Sequence, residues 1–119
     1  MSKETNPGLL SAEEDAKAFE QAKRERIENQ KGPLFELGQV VSTPGAFEAL
    51  TREDMTKALG RHHRGDWGDV DGEDWQENEL SLREGFRLFS VYHAASGTRF
   101  WVITEADRSS TCVLLPDEY

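Results

Sequence analysis

The chain has 119 residues, 36% of them hydrophobic and 31% charged, with a net charge of −9. That is enough for one domain with one modest core, and too acidic to be drawn to nucleic acid phosphates or anionic membrane surfaces. A single cysteine, Cys112, excludes an internal disulfide and a cysteine-rich metal site, and no stretch approaches the length of a membrane span.

Residues 1–33 hold six bases against seven acids, residues 34–119 hold eight against sixteen, and ten of the eleven aromatics lie from Phe35 onward. The expected organisation is therefore an N-terminal arm, residues 1–33, and one foldable domain, residues 34–119. Residues 1–10 read as a flexible tail broken at Asn6-Pro7-Gly8. Ser11 followed by Glu14 has capping-box spacing, and the Ala-, Glu- and Lys-rich stretch to Gln30 predicts a helix, stopped at Gly32-Pro33. Its apolar positions are mostly alanine, so it buries little.

Leu34 to Thr43 predicts a strand, with Gly38 as a bulge and Thr43-Pro44-Gly45 as its break. A helical turn follows at Ala46–Leu50. Thr51 and Asp54 form a second cap signal, leading a helix to about Arg64. After the loop Gly65-Asp66-Trp67-Gly68, a third helix starts at Asp71 or Gly72 and ends at Gly85. From Phe86 the hydrophobic period changes to two, predicting strands over Phe86–His93, Arg99–Glu105 and Ser110–Leu115, with a hairpin turn at Ser96-Gly97. This order predicts an α+β fold: a small antiparallel sheet of three or four strands with two or three helices on one face, plus the N-terminal helical arm.

The strongest chemical feature is the run Gly65–Leu82, which holds seven acids (Asp66, Asp69, Asp71, Glu73, Asp74, Glu77, Glu79) and no base. A calcium loop aligned on Gly72 puts Trp67 at the first ligand position and Asn78 at the closing one, so the pattern fails at both ends and no metal is expected. Helix-dipole capping accounts for Asp71, Glu73 and Asp74 and leaves the others over. Trp67 and Trp75 flank the acids, as interface anchors or as core residues.

A second cluster, Arg61-His62-His63-Arg64, places adjacent histidines about 100° apart on a helix, which does not suit one shared metal ion. It either satisfies the helix's own C-terminal carbonyls or supplies a small hydrolase or nuclease built on His62, His63, Asp66 and Glu105. Glu105, Asp107 and Arg108 read as a turn more readily than as a site. There is no phosphate-binding loop, nucleophile elbow or cofactor motif.

The strings Val41-Ser42-Thr43-Pro44-Gly45-Ala46, with Glu48-Ala49-Leu50, and Arg61 to Gly68, with Trp101 to Ser109 and Leu114 to Tyr119, carry a resemblance. Residues 34–119 resemble a family of short uncharacterised proteins encoded on bacterial plasmids and integrative elements, some of which bear a restriction-modification name. The resemblance implies an accessory or anti-defence role on a mobile element. It brings no catalytic residues, and this chain has no cofactor motif for methyl transfer. The expectation is a cytoplasmic, non-enzymatic protein-binding module. Asp66, Asp69, Asp71, Glu73, Asp74, Glu77 and Glu79 would steer a basic protein surface, with Trp67 or Trp75 as anchor and without direct nucleic acid binding. The alternative is the His/acid hydrolase.

Overall fold

The computed structural model describes residues 12–30 and 32–119. Contacts divide the chain into two units, residues 1–31 and 32–119. In the first, the described residues form one helix, α1 (Ala12–Asn29). Side-chain pairs one turn apart support it: Gln21 donates to Glu25 at 3.2 Å, and Lys23 meets Glu20 at 3.1 Å. The expected cap Ser11 and the tail before it lie outside the described residues.

The second unit runs β1 (Gln39–Ser42), α2 (Pro44–Ala49), α3 (Arg52–His63), α4 (Gly72–Glu84), β2 (Leu88–His93), β3 (Arg99–Thr104) and β4 (Ser110–Leu114), with a closing 3-10 turn at Pro116–Glu118. The helix starts follow their caps. Thr51 and Asp54 exchange side-chain and backbone hydrogen bonds in a complete capping box, and Asp71 accepts from the Asp74 N–H at 2.7 Å. Gly85, left-handed at φ +79°, ends α4.

The fold is α+β, as expected, but the sheet is mixed. Its order is β1-β4-β3-β2; β2–β3 and β3–β4 run antiparallel, while β1 lies parallel to β4. The strand expected from Leu34 shrinks to four residues for two reasons. Gly38 sits at φ +66° and turns the chain, and the residues before it leave the sheet for the helix layer, where the Leu34 N–H bonds the His63 carbonyl at 2.9 Å.

One face of the sheet carries the main core. Tyr92, Phe100, Val102 and Val113 pack with Ala46 and Leu50 of the α2 segment and Ala58 of α3, with Met55, Leu59 and Leu115 against them. This core is drawn entirely from the second unit. A chain beginning at Gly32 is therefore expected to melt within about 5 °C of the full chain, the shift that roughly 1 kcal/mol produces in a domain of this size. A larger fall in thermal unfolding would show that the arm is needed for stability.

The two edges of the sheet differ. Along β2 the chain seals its own edge. The Asn78 amide donates to the Phe89 carbonyl at 2.6 Å and accepts from the Phe89 N–H at 3.0 Å. Two residues on, the Val91 N–H bonds the Trp67 carbonyl at 3.1 Å, and the Val91 carbonyl accepts from the Asp69 N–H at 2.8 Å. Gly68, between them at φ +74°, has no room for a side chain: a Cβ there would fall on the Val91 carbonyl.

Candidate functional site

The histidine cluster separates into two environments. His62 is fully buried and its ring is held at both nitrogens, with Nδ1 2.6 Å from Ser90 Oγ and Nε2 2.8 Å from Thr104 Oγ1. Thr104 Oγ1 lies 2.7 Å from Thr111 Oγ1, and the Thr111 hydroxyl donates to the Leu37 carbonyl at 2.7 Å.

The carbonyl at the end of this row can only accept, so it sets the direction of every bond. Thr104 donates to Thr111, His62 Nε2–H donates to Thr104, and Ser90 donates to Nδ1. Burial first, and then the neighbouring His63 and the Arg108 guanidinium, hold His62 down to about 3, so the ring stays neutral. Phe35 and Trp67 close around it at 5.2 and 5.6 Å between ring centroids.

His63 is half-buried, edge-on to Phe35. Glu105 is exposed just beyond Thr104, and Asp66 is bound by Arg61 through Nε at 2.8 Å and Nη2 at 3.2 Å. The four residues of the expected hydrolase thus share no open site, because His62 points into the sheet. The last carbonyls of α3 are satisfied by backbone: the Gly65 N–H bonds the His62 carbonyl and the Asp66 N–H bonds that of Arg61.

The acidic run also divides. Trp67 and Trp75 are core residues rather than surface anchors: Trp67 is fully buried, Trp75 nearly so, and their rings meet at 6.5 Å. Glu79 accepts from the Trp67 indole N–H at 2.7 Å. Asp66, besides holding Arg61, accepts the Tyr92 hydroxyl at its backbone carbonyl at 2.5 Å. Asp69 stands 3.0 Å from His93 Nδ1. Asp71, Glu73, Asp74 and Glu77 form the outer N-terminal half of α4, and among the described residues no ion pair joins them to a base. Burial, and then the neighbouring charges of Asp71 and Glu77, push the Asp74 carboxyl up. Glu73 and Glu77 border a shallow groove with Gln76, Leu80 and Arg83.

A separate cleft of about 290 Å³ lies between α3 and the β2–β3 hairpin, lined among others by Glu53, Asp54, Lys57, Arg61, Tyr92 and His93. Its charges are mixed, and Asp54 is already engaged by the Thr51 and Ala95 N–H groups. Among the described residues no group of three or more His, Cys, Asp or Glu is placed to hold a metal ion, and no helix is long and apolar enough to cross a membrane.

Sequence reasoning missed Asn78, Ser90, Thr104 and Thr111. The last three occupy core-side positions of strands whose alternation was visible; a hydroxyl recurring at inward positions is the signal for a buried polar partner. Compared with protein-family models, curated proteins and solved structures, the chain matches none.

Proposed function

We propose that this domain is a non-enzymatic, acidic protein-binding module with an accessory or anti-defence role on a mobile genetic element. Its outer α4 surface engages a basic surface of a partner protein, such as one that itself grips nucleic acid. The observation that carries this reading is the row Asp71, Glu73, Asp74 and Glu77, which forms no ion pair with a base among the described residues and crowds like charges around Asp74. A partner's Lys and Arg residues relieve that repulsion and speed encounter. The burial of His62 supports binding over acid–base catalysis, since its ring offers no free nitrogen to a substrate.

The test is to recover a partner from host cells at low salt and measure association by stopped flow. Asp69→Asn, Asp71→Asn, Glu73→Gln and Asp74→Asn together are expected to slow association by about tenfold at low salt and to flatten its salt dependence, with little change in dissociation. Asn at position 71 keeps the helix cap. Association indifferent to both salt and substitution would overturn the reading, as would a turnover abolished by His63→Ala.

A further inference from the structure

We propose that the outer edge of β1 is a second docking surface, which takes up an extended segment of a partner protein with apolar residues at its centre and Lys or Arg at both ends. This surface lies at the opposite edge of the sheet from β2 and does not rest on the acidic face of α4.

The contrast between the two edges points to it. At β2 the chain supplies Asn78 and the Trp67–Asp69 backbone to occupy the outward groups of Phe89 and Val91. At β1 no such cover is built among the described residues of the second unit. The N–H groups of Gln39 and Thr43 reach the Ser109 and Val113 carbonyls of the β4 segment at 2.9 and 3.0 Å. A parallel ladder uses alternate residues, so Val40 and Ser42 turn their N–H and C=O groups away from β4, where the sheet has no further strand.

Edge strands are ordinarily blunted by a charge, a proline or a bulge within the strand. Gln39-Val40-Val41-Ser42 has none, and its two valines, on opposite faces, are 46% and 42% exposed. Phe47, on the helix that follows, is a further exposed apolar side chain, at 71%.

Charge selects the occupant. Exposed Glu36 lies shortly before β1 in the chain and exposed Glu48 shortly after it, on α2, while Glu118 returns in space to the end of the strand. Glu118 is fixed there, accepting from the Thr43 hydroxyl and from the Gly45 N–H at 2.9 Å. Arg108, whose backbone carbonyl lies against Gly38, turns its guanidinium to the carbonyls of Phe86, Glu105, Ala106 and Ser81. Among the described residues none of the three carboxylates of Glu36, Glu48 and Glu118 is ion-paired with a base. A second copy pairing antiparallel would set Glu36 of one chain against Glu48 and Glu118 of the other. A partner strand with basic ends meets attraction at both. Backbone ladder bonds supply affinity in such strand addition, and the flanking charges supply direction and selectivity.

The experiment uses the full chain, labelled for NMR, and an eight-residue probe peptide of alternating valine and threonine with two lysines at each end. Bound peptide is expected to slow amide exchange at Val40 and Ser42 by at least about tenfold while leaving Val41 little changed. A peptide with glutamates at both ends is expected to bind about tenfold more weakly or worse at low salt. A peptide N-methylated on alternate residues along one edge is expected to lose binding. Absence of binding, binding that leaves the Val40 and Ser42 amides untouched, or equal affinity for the two charge patterns would each overturn the proposal. So would protection of these amides that rises with protein concentration without peptide, since the occupant would then be a second copy.

Discussion

Replacing His62 by alanine is expected to cost the domain about 4 kcal/mol, read as the urea midpoint of tryptophan fluorescence. Two losses add up to that figure. A ring packed between Phe35 and Trp67 leaves a cavity, and the Ser90 and Thr104 hydroxyls lose a partner in a place water does not reach.

The same residue makes stability depend on pH. The folded state holds His62 neutral down to about 3, against about 6.5 for the solvated imidazole of the unfolded chain. Its contribution is fully present above about pH 6.5. As pH falls towards 3 the unfolded chain takes up a proton that the fold refuses, and stability drops by about 1.4 kcal/mol per pH unit. His62→Gln is expected to start from a lower stability and to lose this slope. A native-like slope in that variant, or a cost below about 1 kcal/mol for the alanine variant, would show that the ring is not what joins α3 to the sheet.

Gly68→Ala is the second large effect. Gly68 and Gly85 both sit at positive φ, at +74° and +79°, so alanine at either pays a backbone cost of about 1–2 kcal/mol. They differ in what lies beyond. A Cβ at Gly85 meets nothing within 4 Å, whereas one at Gly68 collides with the Val91 carbonyl and the Tyr92 ring. Gly85→Ala is therefore expected to lose about 1 kcal/mol, and Gly68→Ala at least about 2 kcal/mol more, because the Trp67–Asp69 segment must lift from β2. With Val91 uncovered, light scattering on warming should rise earlier for Gly68→Ala. Equal losses in the two variants would mean that the segment moves aside freely and that the edge is not sealed by close fit.

Much of the fold was legible because its signals are local. Thr51 with Asp54, Asp71 and Gly85 mark helix ends through bonds to residues within one turn, and alternation from Phe86 onward reports the pleat of each strand directly. What was not legible depends on partners far along the chain. The parallel pairing of β1 with β4 is set by where Thr43 and Gln39 find carbonyls seventy positions later, and nothing near Val40 announces it.

The site divided in the same way. His62 and His63 look alike in sequence; one is buried because three hydroxyls from three strands meet it or its neighbour, and the other is not. Trp67 and Trp75 read equally as anchors or core until Phe35 and His62 are found against Trp67, and Trp67 against Trp75. The acids of α4 that remained as candidates, Asp71, Glu73, Asp74 and Glu77, are those for which no such distant partner exists among the described residues.

The parallel β1–β4 ladder also orders the folding reaction. The β2–β3 and β3–β4 pairs close over short turns, whereas joining Gln39 to Ser110 closes a loop of about 70 residues, at an entropic cost roughly 2 kcal/mol greater than for a loop one-tenth as long. Topology therefore favours the three-stranded meander as the early structure, with β1 arriving once α2 and α3 are close to their places. Until it arrives, the growing sheet ends at β4, and a nascent chain presents a different unpaired strand to its surroundings from the one the finished molecule presents.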